Sequence, residues 1–167
     1  MYEALSPCQL IDDALALHAL VHAQDGIAIE RELEELPLVS VDRHKVLQIL
    51  TNLLTNAAQA IEARGEGERC ITVRCRQDKE DGTLRIQVAD SGVGIREQDR
   101  ERIFSLGFTT KKSGHGLGLH ASACAALEMK GSLTLHSDGV GRGSCFTLTL
   151  PAPKAAASAP VRLASVG

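Results

Sequence analysis

The sequence predicts an α+β chain, and three observations predict it. Apolar residues recur at helical spacing in three stretches, about 7–23, 42–63 and 117–130. Around these lie short runs in which apolar and polar residues alternate, as in half-buried strands. Asp-Gly pairs, Asp81-Gly82 and Asp138-Gly139, stand where hairpin turns are needed between such runs. A chain of 167 residues suits one domain.

Each element has its own justification. Residues 7–23 place Leu10, Ile11, Ala14, Leu17, Leu20 and Val21 at helical spacing, and Asp25-Gly26 then reads as a turn. From Ile27 to Leu33 the pattern alternates, as in a strand. Asp42 is expected to cap a long helix running to about Ala63 and closed by Gly65. Strands follow at about 70–76, with Ile71, Val73 and Cys75 on one face, and at 84–89, with Leu84, Ile86 and Val88 on one face. Residues 91–116 are a long irregular segment, interrupted by a short helix near 96–103. Loops of that length inside a compact domain are usually functional. A helix from Leu117 to Lys130 ends at Gly131, and strands carrying Leu133 and Leu135, then Phe146, Leu148 and Leu150, complete the pattern. The Ala/Pro/Ser-rich residues 152–167 lack periodicity and are expected to form a disordered tail.

Composition excludes several function classes. The net charge of −3 offers no basic excess for a phosphate backbone, and four aromatic residues (Tyr2, Phe104, Phe108, Phe146) make no stacking platform. Nucleic acid is therefore not an expected partner. No apolar run approaches the ~20 residues of a membrane span. Five scattered cysteines suit a reduced, cytoplasmic setting, and Cys70 and Cys75, five apart on one strand, point to opposite faces and make no zinc knuckle.

Three constellations carry chemistry. On the long helix, Gln48, Asn52, Asn56 and Gln59 form one polar stripe beside the apolar face of Val46, Leu50, Leu53, Leu54, Ala57 and Ile61. Asparagine is a poor helix former, and a plain surface helix would more often use Glu and Lys. Carboxamides suit a hard cation and phosphate oxygens without adding negative charge. Second, Asp90-Ser91-Gly92-Val93-Gly94 follows a strand: a carboxylate, which only accepts, selects a ligand with an exocyclic amine such as adenine. Third, Gly114, Gly116 and Gly118 alternate at a helix start, an anion-binding arrangement, with Lys111 and Lys112 just upstream. A dinucleotide fingerprint, a P-loop and the protein-kinase motif set are all absent by spacing.

In this order the pieces resemble the ATP-binding catalytic domain of bacterial sensor histidine kinases, in the superfamily that also holds DNA gyrase, the heat-shock chaperone ATPase and MutL. Residues 52–57 resemble the family's N box, and Asp90–Gly94 its first glycine box. Ile103-Phe104 with Gly107–Lys111 resembles its F box, 114–119 its second glycine box, and 141–146 the closing one. The resemblance spans roughly residues 10–151. It implies a two-layer α/β sandwich, a mixed, mostly antiparallel sheet with helices on one face. It also implies that residues 1–9 are a linker from a dimerisation domain.

By the same resemblance the cofactors are ATP and Mg²⁺. Asp90 would bind the adenine amino group within a pocket shared with Gly92, Gly94 and Ile95, with Ser144 helping through water. Asn56 would coordinate Mg²⁺, and Asn52 would contact phosphate or metal-bound water. Lys111 and the backbone of Gly114, His115, Gly116, Leu117 and Gly118 would hold the polyphosphate. The implied activity is transfer of the γ-phosphate to a histidine on a separate dimerisation domain, with a response regulator receiver domain downstream and the fragment itself a monomer. A cytoplasmic location goes with it, with or without inner-membrane attachment of the full protein. Hydrolysing members of the superfamily carry a Glu where this chain has Asn52, and the helix has no carboxylate between Asp42 and Glu62 to activate water. None of His18, His22, His44, His115, His120 and His136 is followed by the acidic residue of a phosphoacceptor, and Gln59 stands where some relatives have Lys. Two alternatives share the same pocket: a nucleotide-gated interaction module and an ATP-hydrolysing clamp.

Overall fold

The computed structural model describes residues 1–22, 25–105 and 118–152. The chain order is β1 (Tyr2–Leu5), α1 (Pro7–His22), β2 (Ala28–Leu33), β3 (Val39–Asp42), α2 (Arg43–Arg64), β4 (Cys70–Gln77), β5 (Leu84–Asp90), a 3₁₀ turn (Glu97–Asp99), α3 (Gly118–Glu128), β6 (Ser132–His136) and β7 (Ser144–Leu150). Five strands form the main sheet in the order β2-β4-β5-β7-β6. Only the β2–β4 pair is parallel; the other three pairings are antiparallel. The expected α+β sandwich is therefore the observed one.

Alternation decides which face of the sheet the helices cover. Ile71, Val73 and Cys75 of β4, Leu84, Ile86 and Val88 of β5, and Phe146, Leu148 and Leu150 of β7 are all buried. Against them pack α2, through Val46, Leu50, Leu53, Leu54, Ala57 and Ile61, and α1, through Leu10, Ile11 and Ala14. Burying about 1.5–3 kcal/mol of apolar side chain at each such position drives this packing. The intervening residues, such as Thr72, Arg74, Gln87 and Thr147, line the opposite, half-exposed face. Burial pushes the Cys75 thiol up to about 12, so it packs as a small apolar residue.

Asp42 caps α2 as expected, accepting from the Lys45 N–H, and the Gly65 N–H closes the helix on the Ile61 carbonyl. Two expectations are corrected, and one element is added. The stretch 1–9 contains β1, which pairs antiparallel with β3 from Tyr2↔Asp42 to Leu5↔Val39, and the start of α1. Both strands are four residues long, too short for alternation to stand out. Half of the apolar face of α1 is not core: Leu17, Leu20 and Val21 are exposed, and His18 is buried instead. The short helix near 96–103 shrinks to one 3₁₀ turn. The tail lies outside the described residues beyond Ala152.

Candidate functional site

The site is built where β5 ends beside α2. Asp90 is the last residue of β5 and 9% exposed. Its Oδ1 accepts the Gly92 N–H at 2.8 Å, and its Oδ2 accepts the Ser144 hydroxyl at 2.9 Å. β5 and β7 are paired with Asp90 opposite Ser144, so the sheet register itself delivers the hydroxyl to the carboxylate. Ser144 touches Asp90 directly.

The loop after Asp90 is fastened on three sides. The Val93 N–H donates to the Ala60 carbonyl at 2.9 Å, and the Arg64 guanidinium donates to the Ser91 carbonyl at 2.6 Å, both from the last turns of α2. From the β6–β7 turn, the Gly143 N–H donates to the Gly92 carbonyl and the Gly141 N–H to the Val93 carbonyl. Ser137 ties the rest: its hydroxyl donates to the Gly143 carbonyl and accepts from the Ile95 and Gly139 N–H groups. Beyond Ile95, buried Asp99 accepts from Arg96 and Arg102, and these guanidiniums, Arg96 foremost, hold its carboxyl below the usual carboxylate range.

The glycines have a reason that the sequence did not reveal. A Cβ on Gly92 would stand 2.6 Å from the Ala60 carbonyl carbon, and one on Gly94 only 2.1 Å from the Gly139 oxygen. Gly143, at φ +68°, would place a Cβ 2.1 Å from the Asp90 oxygen. Among the described residues, the close approach these glycines permit is to protein backbone.

Along α2 the polar stripe spans the gap between two structures. At one end Asn52 donates through Nδ2 to the Ser122 hydroxyl at 3.1 Å and the Gly118 carbonyl at 3.4 Å, both on α3. Two turns on, Ala60 receives the Asp90 loop. Half-buried Asn56 is four residues from each, so it lies on the same helix face between them. The structure thus joins Gly118 to Asn52 at one end, gathers Asp90, Gly92, Gly94, Ile95 and Ser144 beside Ala60 at the other, and leaves Asn56 on α2 between the two groups. Lys111, Gly114, His115, Gly116 and Leu117 lie outside the described residues. Sequence reasoning missed Ala60, Arg64, Ser122 and Ser137, which are ordinary residues in motif terms and matter through partners far along the chain.

A family model described as histidine kinase-, DNA gyrase B- and HSP90-like ATPase matches residues 41–154. The chain belongs to that ATPase family. Among curated relatives of this ATPase domain, the aerobic respiration control sensor protein ArcB of Escherichia coli (strain K12) is 37% identical over 150 residues, 84% of this chain and 18% of ArcB. The signal transduction histidine-protein kinase AtoS of the same strain is 35% identical over 151 residues, 90% of this chain and 24% of AtoS. The chain therefore spans about a fifth to a quarter of these relatives. The ATPase fold also superposes on full-length ShkA, solved in complex with AMPPNP, with TM-score 0.77 and 25% identity, covering 90% of this chain and 31% of that one. No described helix of the domain is long and apolar enough to cross a membrane, and the described residues hold no cluster of His, Cys, Asp and Glu fit for a metal.

Proposed function

We propose that this domain binds Mg²⁺·ATP and hands the γ-phosphate to a histidine on a separate dimerisation domain of a sensor kinase, with a receiver domain downstream. The observation that carries the reading is the Asp90 carboxylate, buried at a strand end and backed by Ser144 and Gly92. A carboxylate so placed accepts from the adenine amino group, and the hydroxyl and amide behind it fix its plane. On this reading Gly92, Gly94 and Ile95 would form the wall beside it.

Mg²⁺ takes oxygen ligands and is commonly shared with substrate phosphates, which the neutral carbonyl oxygen of Asn56 suits. When bound, the ion neutralises charge on the phosphate oxygens. Asn52, tied to the start of α3, keeps the stripe and that helix together, so Gly118 would meet the polyphosphate beside Asn56; Lys111 and the backbone of Gly114, His115, Gly116 and Leu117 are its further partners on this reading. Catalysis by this chain is then positioning and charge stabilisation, since phosphoryl transfer asks for little else. The carboxylate-free stretch of α2 leaves no general base for water, which favours transfer over hydrolysis.

Calorimetric titration with AMPPNP, with and without magnesium, tests the binding half. Tighter binding with magnesium is expected, and Asn56→Ala should abolish that difference; no binding at all would overturn the reading. The transfer half is tested by adding the chain and labelled ATP to a homologous sensor kinase disabled at its own metal-binding Asn. Phosphohistidine should form on the homologue and not on this chain.

A further inference from the structure

His120 stands in the first turn of α3, two residues after Gly118, and its ring is placed from both sides. Nδ1 lies 3.0 Å from the Phe104 carbonyl oxygen. A carbonyl only accepts, so Nδ1 carries the proton and donates. In the neutral ring Nε2 then bears the lone pair, and the Cys124 sulfur, one turn further along α3, lies 3.6 Å from it. Phe104 is itself seated: its ring meets Phe146 edge-on at a centroid distance of 6.0 Å. Phe146 is fully buried in β7, two residues from the Ser144 that donates to Asp90.

The buried apolar anchors are Ala125 and Ala126 in α3 and Met129 just past its end, while Leu119 and Ala123 nearer its start pack against the core half-buried. Its first turn, with Leu119 only half-buried, is located by side-chain hydrogen bonds as well: Asn52 reaches it from α2, and His120 reaches out from it to Phe104. We propose that His120 is a positioning residue for triphosphate binding. It holds the first turn of α3, with the Gly118 backbone, at a fixed place relative to the Asn52–Asn56 stripe. The positive end of a helix acts only over its first turn, so small shifts of that turn change what it does for an anion. The inference rests on the reading that Gly118 helps to hold the polyphosphate.

Three variants separate the hydrogen bond from bulk. In His120→Asn the amide nitrogen stands two bonds from Cβ, as Nδ1 does, and the bond to Phe104 survives. In His120→Gln the nitrogen is one bond further out, and in His120→Ala it is gone. Calorimetry with Mg²⁺·AMPPNP should give Asn near wild-type affinity, and Gln and Ala about five- to ten-fold weaker, the scale of one net hydrogen bond. Hydrogen exchange should quicken at residues 118–123 in Gln and Ala while β5 amides keep their protection. Wild-type affinity in both Gln and Ala, an Asn variant as weak as Ala, or loss of β5 protection in Gln would each overturn the proposal. Failure of the wild-type chain to bind AMPPNP would instead sink the functional reading beneath it.

Discussion

The two ends of the polar stripe on α2 are held in different ways. At Ala60, the helix, the Asp90 loop and the β6–β7 turn meet through backbone hydrogen bonds and glycine-only approaches. At Asn52, the start of α3 is met by two side-chain bonds, one of them 3.4 Å long, and the far end of that helix by the surface pair Lys45–Glu128. The first end is built into the backbone and so is formed before any ligand arrives. An organised pocket loses less ordering free energy on binding. The second end depends on a few side chains and can be altered by single substitutions. On the proposed reading, recognition of the base falls to the rigid end and handling of the phosphates to the adjustable one.

Substitution at the rigid end should do the most damage. Gly143→Ala forces a Cβ to within 2.1 Å of the Asp90 oxygen at a positive φ. It should cost about 3 kcal/mol or more in urea unfolding. A cost near zero would mean that the loop is not fastened as described. Asp90→Asn keeps the shape but turns one acceptor into a donor facing the Ser144 hydroxyl or the Gly92 N–H. Affinity for an ATP analogue should drop by about 1–3 kcal/mol, and an unchanged calorimetric affinity would remove the adenine assignment.

At the adjustable end the effects shrink. Asn52→Ala removes the donor to buried Ser122 and should cost about 1 kcal/mol, with a double-mutant cycle against Ser122→Ala returning most of it as coupling. Lys45→Ala breaks an exposed pair and should cost about 0.5 kcal/mol or less. A larger loss there would show that the far end of α3 leans on its surface charges. In acid the contrast takes another form. Asp99 has its carboxyl held below the ordinary 3.8, so its contribution is complete above that pH and is lost as pH falls through the lowered value. A stability–pH curve for Asp99→Asn should lack this acid step.

Legibility in the sequence followed locality. The α2 stripe, the Asp42 cap, the β4–β5 and β6–β7 hairpins and the acid at the end of β5 were all readable, because each is written within a few residues. The paired strands β1 and β3 were not, since each is four residues long and its partner lies about forty residues away. The exposed half of α1 escaped because spacing reports which side a residue is on and not whether anything stands opposite. Ser137 and Ala60 carried no signal at all; one is a turn serine and the other a helix alanine until three segments meet on them.

The sequence by itself determined the chemistry: which helix bears carboxamides, that no carboxylate accompanies them, and that a lone acid ends a strand ahead of two glycines. Those are properties of side-chain type and short-range period. Tertiary structure alone decided that Ser144 would stand opposite Asp90, that Gly92 would press on Ala60, and that His120 would meet Phe104. Each of those partners is brought in by sheet register or helix packing, and register and packing are settled by burying one apolar face for the whole domain at once.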